Sequence, residues 1–255
     1  MRISTISERP LARVAVLEPG DLQFGYDAKP PQWKSQPVLK SSYPTGDEVD
    51  PWGPAYTHDE RLVSELLREC VNAAPLGSAP VTVYVGLWEG LARTNGWSTY
   101  DHPYYRDGDD ISWWHGPGLK PWEGVIALSG KRIEIHPAVT RYVVAHEYGH
   151  VVDVALAQLR YPGDGNAFHK LHEDYRRLRR LPDGPGHYGN GTHHLAVGEV
   201  LTNDFRTVVL GRECDFWAHP VTPGWKLKGV RRWWERACAD LHALSEIGSV
   251  ERSKR

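Results

Sequence analysis

Apolar residues at helical spacing mark five segments of this chain, and β-branched runs mark strands between the first two of them. Val63, Leu66, Leu67, Cys70 and Val71 share one face, and Thr57-His58-Asp59-Glu60 before them has the form of a capping box. A helix is therefore expected from near Thr57 until Pro75 closes it. Val81 to Val85 reads as a strand, since four of its residues are β-branched. Val125 to Leu128 and Arg132 to Ile135 read as two more, joined by a tight turn at Ser129-Gly130-Lys131. The clearest helix runs from Thr140 to about Arg160, stopped by Pro162-Gly163. Further helices are expected over 167–181 (ended by Pro182), over 195–210 (ended by Gly211), and from about Lys228 to Ile247.

The segments between these are of two kinds. Residues 90–122 carry Trp97, Tyr100, Tyr104, Tyr105, Trp113, Trp114 and Trp122 without a clear period, and read as a long loop. Such loops are uncommon in compact domains unless they serve as a cleft wall or lid. Residues 1–56 are broken repeatedly by Pro, including Pro30-Pro31, Pro37, Pro44, Pro51 and Pro54, and read as an extended arm. Only the run Val14 to Leu17 suggests a strand there, and the tail Ser249 to Arg255 is expected to be disordered. The organisation is an arm over 1–56 and a domain over 57–255. Helix, then strands, then helices is an α+β order: a small mixed sheet followed by a mainly helical C-terminal part.

Composition narrows the function classes. The 255 residues carry 30 Lys+Arg against 32 Asp+Glu, a formal charge of −2, so no global basic field draws in nucleic acid or anionic lipid. No stretch is long and apolar enough to span a membrane, and the N-terminus lacks the apolar core of a signal peptide. Synthesis into the cytoplasm is expected, with lysis or export outside the general secretory route as the ways out. Cys70, Cys214 and Cys238 form no CxxC pair, which argues for buried free thiols rather than a thiolate metal site or disulfide framework. The 11 Trp supply broad faces for a core or a cleft.

The chemistry lies in His146-Glu147-Tyr148-Gly149-His150, in the middle of the clearest helix. Residues four apart stand one turn above each other, so the two imidazoles can reach a single tetrahedral zinc ion. Glu147 lies a step around the helix, where its carboxylate can take a proton from a water that the metal has acidified. Such a site needs a third protein ligand. The position ten residues after His146 is Leu156, so a ligand at that spacing is excluded. The helix over 195–210 offers Glu199, favoured here, with Asp204, His169, His172, His193 and His194 as rivals. Asn203, one turn after Glu199, and Asp153, one turn after His150, are placed to hydrogen-bond a ligand imidazole and fix its tautomer.

His146-Glu147-Tyr148-Gly149-His150-Val151-Val152-Asp153 resembles the active-site helix of gluzincin peptidases of the anthrax lethal factor type, HE[FY]GHxxD. In that family a Tyr-Gly pair follows, then E-x-F-A-[ED]-x-F-R; this chain has Tyr188-Gly189, then Glu199 with Phe205-Arg206 at the same offsets. It departs at Leu201-Thr202, at Asn203, and in the longer distance from Tyr188 to Glu199. The resemblance covers roughly residues 125–210. It implies a zincin-like fold with an edge strand above the active helix, one zinc ion on His146, His150 and Glu199, and a protein or peptide substrate. It also implies that Tyr188 donates to the oxyanion formed during peptide attack, a role for which His187 and His193 are rivals. An edge strand would bind substrate backbone by strand addition, and Val125–Leu128 or Arg132–Ile135 is expected to supply it. Two other readings remain: a DNA-associated SprT-like protease, which the neutral charge and the absence of a zinc ribbon disfavour, and a non-catalytic zinc-binding module.

Overall fold

A computed structural model gives the structure of the chain over residues 2–8, 11–16, 59–76, 81–86, 96–101, 104–107, 110–113, 123–129, 137–183, 196–212 and 224–252. It is a mixed α+β protein. One sheet has the order β1 (Arg2–Glu8), β2 (Leu11–Val16), β3 (Val81–Gly86), β7 (Glu123–Ser129), β4 (Gly96–Asp101). β2, β3 and β7 run parallel, and β1 and β4 flank them antiparallel. β5 (Tyr104–Asp107) and β6 (Asp110–Trp113) form a separate hairpin. The helices are α1 (Glu60–Ala73), α2 (Pro137–Arg160), α3 (Ala167–Arg179), α4 (Val197–Asp204) and α5 (Lys228–Arg252).

Val81, Val83 and Val85 of β3 and Ile126 and Leu128 of β7 are fully buried. Alternate positions on both strands therefore feed one core face. α1 covers that face with Val63, Leu66, Leu67, Cys70 and Val71, the stripe visible in its spacing. Its cap is Asp59 rather than Thr57: the Asp59 carboxylate accepts from the backbone N–H of Arg61 at 2.8 Å and of Leu62 at 3.3 Å. The helix thus starts later than the apparent capping box suggests, and Thr57 lies outside the described residues.

α2 is the centre of the domain. It packs against α1, α3, α4, β4 and β7, and almost every residue from Val143 to Ala157 is buried. A helix enclosed on all sides has no solvent face, which is why its apolar residues show no narrow stripe. Pro137 opens it, at the one helical position where a missing N–H costs nothing. The polar residues His146, Glu147 and Asp153 are therefore carried into the interior. Buried polar groups must find partners or perform a task.

Several expectations need correction. β1 and β2 belong to the main sheet, so the segment read as an arm over 1–56 begins as structure; residues 17–58 lie outside the described set. Val125–Leu128 is an inner strand, held between β3 and β4, because β4 pairs with its free side. β4, β5 and β6 all fall within the stretch read as a loop, where aromatic and β-branched residues favour strands despite their weak alternation. Arg132–Ile135 lies outside the described residues, as do Gly130 and Lys131 of the turn before it, while Ser129 is the last residue of β7. α5 continues to Arg252, into the tail expected to be disordered. Cys70 and Cys238 are free thiols. No helix among the described residues is long and apolar enough to cross a membrane.

Candidate metal centre

α2 and α4 build the site together. His146 and His150 stand one turn apart on α2, their rings edge to face with centroids 4.9 Å apart. Glu199 reaches them from the first turn of α4: Oε2 lies 3.1 Å from His146 Nε2, and Oε1 lies 3.3 Å from His150 Nε2. The donor atoms of all three residues fall within 4.8 Å of one another. Ligands bonded at 2.0–2.1 Å around a tetrahedral ion stand about 3.3 Å apart, so the two carboxylate–imidazole separations fit such an ion, and two imidazoles with a carboxylate are a donor set that zinc accepts.

Thr202, one turn after Glu199, decides the state of His146. Its hydroxyl donates to the Glu199 carbonyl at 3.0 Å and lies 3.2 Å from His146 Nδ1. A hydroxyl has one proton, so toward the ring it accepts, and Nδ1 carries the hydrogen. Nε2 is then the nitrogen that faces Glu199 and that would ligate an ion placed there. The other side of the His146 ring stacks on Tyr142, with centroids 5.5 Å apart and planes within 13°. The Arg206 guanidinium lies over Tyr142 in turn, 4.6 Å from its ring centre. Arg206 is carried by a π-turn, Phe205–Val209, that continues α4, and Phe205 packs on Tyr148 and Trp234. Tyr148 itself faces away from the site, its hydroxyl donating to the Ala74 carbonyl at 2.8 Å.

Electrostatics favour a charged carboxylate at the centre. Burial pulls Glu199 upward, but hydrogen bonds from both imidazoles and their charges hold it well below the usual carboxylate range. Burial would lower His150, yet its hydrogen bond with Glu199 and the charges of Glu199, Glu147 and Asp153 raise it to about 8. Glu147 is nearly buried, and no hydrogen bond or ion pair engages its carboxylate among the described residues.

The remaining expected residues are placed as follows. Asn203 donates to the Glu199 carbonyl at 2.8 Å, so it braces the backbone of α4 rather than a ligand ring. Asp153 is fully buried and meets His172 at 2.6 Å, not a ligand imidazole, because α3 brings His172 within reach first. That also removes His172 from the rival ligands. Asp204 is engaged by Tyr175 and Arg179, and His169 is exposed away from the triad. Tyr188, His187, His193 and His194 lie outside the described residues, as do the side chains of the aromatic segment 97–122. Sequence reasoning passed over Thr202, Tyr142 and Gly149. Tyr142 precedes His146 by one turn and Thr202 follows Glu199 by one turn, so helical phase alone could have nominated both.

Gly149 sets how closely the two helices approach. A Cβ there would lie 3.0 Å from both Cα and Cβ of Thr202. Gly149→Ala is expected to be nearly neutral, its gain in helix propensity offsetting a shift of a few tenths of an ångström. Gly149→Val is expected to force α4 away. It should cost about 1–3 kcal/mol of stability and weaken metal binding roughly 10–100-fold, read by urea unfolding and chelator competition.

Comparison with known protein families, with curated proteins and with solved structures gives no match for this chain.

Proposed function

We propose that this chain is a zinc-dependent peptidase of zincin-like architecture, acting on a protein or peptide. The observation that carries this reading is the convergence of His146, His150 and Glu199, with the Glu147 carboxylate on the helix of the two histidines and unengaged among the described residues. Zinc held by these three residues would supply Lewis-acid polarisation and lower the pKa of water to about 7.

The protein's own groups do the rest. Glu147 takes the proton from the attacking water and passes it to the leaving amine, as a carboxylate in a water-poor site can. Thr202 holds His146 in the tautomer that presents Nε2. Glu199, kept ionised by the two imidazoles, contributes the negative charge that a dication favours. Among the described strands β4 is the one at the sheet edge beside α2, and an extended peptide could pair with backbone groups on its outer side. Pairing through main chain alone favours peptides of many sequences.

The test is zinc content of purified protein beside Glu199→Ala, with casein hydrolysis on both. Wild type is expected to hold one zinc ion and to cleave. Losing a direct ligand should weaken zinc by more than the 10–100-fold typical of an outer partner, and abolish cleavage with it. A Glu199→Ala protein that holds zinc as tightly as wild type would overturn the ligand set.

A further inference from the structure

Asp153 and His172 form a buried pair that contributes nothing to the donor set of the metal centre, yet it sits where α2, α3 and α4 pack on one another. Asp153 comes from α2, one turn after His150, and His172 comes from α3. Asp153 Oδ2 and His172 Nε2 lie 2.6 Å apart, with the two side chains only 1% and 13% exposed. Phe168 packs on the His172 ring, with 4.0 Å between ring centres. Asp153 Oδ1 is buried as well and has no hydrogen-bond partner among the described residues. A half-satisfied polar pair adds little to stability over apolar residues of the same shape. What it does provide is a fixed distance between two helices.

α4 meets this pair at Gly198, the residue before Glu199. A Cβ on Gly198 would lie 3.2 Å from His172 Cε1 and 3.7 Å from Asp153 Oδ2. The imidazole and the carboxylate therefore lie against the backbone of the first turn of α4, in the room that a glycine leaves. That turn has little support of its own. Its cap, Ala196, has no side-chain oxygen for the first N–H groups, and helix ends of this kind fray.

Glu199 belongs to that turn, so its carboxylate is only as well placed as the backbone beneath it. On the C-terminal side, Thr202 and Asn203 brace the Glu199 carbonyl at 3.0 and 2.8 Å. On the N-terminal side the constraint comes from another helix. The His172 ring, held at Nε2 by Asp153 and on its face by Phe168, limits where Gly198 can move.

We propose that His172, anchored by Asp153, is a positioning residue for Glu199: it fixes the first turn of α4 and so aims the carboxylate at the two imidazoles. The proposal rests on the metal-centre reading above, and zinc affinity, measured by chelator competition, tests it without recourse to turnover. His172 is the residue to change, because Asp153 also acts on His150 through its charge. His172→Leu with an unchanged circular dichroism spectrum should bind zinc roughly 10–100-fold more weakly, the range for groups that orient a ligand. His172→Gln keeps an N–H donor at similar reach of Asp153 and should recover most of that loss. The deciding measurement is the same Leu substitution in the Glu199→Ala background. No carboxylate is left there to aim, so the residual affinity of His146 and His150 should change by less than about twofold. An equal loss in both backgrounds would overturn the proposal, as would wild-type affinity in His172→Leu. Gly198→Val leaves the buried pair intact and drives methyl groups toward the His172 ring. It should weaken zinc roughly tenfold, again only when Glu199 is present, and it decides the matter if His172→Leu does not fold. Wild type that holds no zinc would remove the metal-centre reading itself, and this proposal with it.

Discussion

Glu147→Gln is expected to retain zinc while losing about 10²–10⁴-fold in turnover, the usual contribution of a positioned general base. Gln has the shape of Glu but accepts no proton at neutral pH, so the substitution removes the base and little else. Zinc should stay because the three converging donor atoms belong to His146, His150 and Glu199, and Glu147 contributes none of them. The charge lost is one of those raising His150. Its removal eases the loss of the imidazole proton but also takes one negative charge from near the metal, so affinity is expected to change little. Zinc stoichiometry and casein hydrolysis on the same preparation check both halves. A Gln variant as active as wild type would remove Glu147 from the mechanism, and one that arrives without zinc would make Glu147 a ligand.

Asp204→Ala is expected to cost about 3–5 kcal/mol of stability, the range for removing one member of a buried ion pair. The Arg179 side chain is only 2% exposed and would be left without its counter-charge. Tyr175, whose hydroxyl donates to Asp204 at 2.6 Å and accepts from Trp234 Nε1 at 3.1 Å, would lose its acceptor as well. Against a typical total of 5–15 kcal/mol this is a large fraction, and the urea midpoint should fall by roughly 1–3 M. Replacing the pair together, as Asp204→Leu with Arg179→Met, should recover most of the loss, because no charge is then stranded.

The same carboxyl gives a pH signature. Burial pushes Asp204 up to about 6, against the opposing pull of Arg179, the Tyr175 hydroxyl and the Gly224 N–H. An acid with a folded pKa above its unfolded value binds its proton more tightly when folded. Its contribution to stability is complete below about pH 4 and declines as pH rises through 6. The stability difference between wild type and Asp204→Asn should therefore shrink across that interval, in urea unfolding at successive pH values. A difference that grows with pH would mean that Arg179 outweighs burial.

How much of this was legible beforehand depends on the distance over which each feature is determined. The pairing of His146 with His150 is a property of one helical turn, and any helix with that spacing shows it. The elements around it were legible for the same reason: the stripe of α1, the β-branched run of β3, and the Pro and Gly residues that end α2 and α3 are local signals. Glu199 could be nominated by type and by a motif resemblance. Its approach to 3.1 and 3.3 Å of the two imidazoles, however, required α4 to pack on α2 across 49 residues of chain.

Other features had no local signal strong enough to read. Thr202 looked like a departure from a motif, and only its packing beside Gly149 gives its hydroxyl the His146 ring as a neighbour. Asp153 sits in the right helical phase for a ligand partner, yet α3 supplies His172 instead. Arg179 stands in the basic run Arg176 to Arg180, and nothing local marks it as the one buried against Asp204 of α4. The identity of the edge strand could not be read from Val125–Leu128, since an inner and an edge strand of similar residues differ only in whether another strand pairs with them. The sequence by itself determined the helices, the central strands and the two-histidine face, because backbone propensity and helical phase act within a few residues. Tertiary structure alone decided which side chains complete the centre, which charges are buried and which strand is left open, because those follow from contacts between segments far apart in the chain.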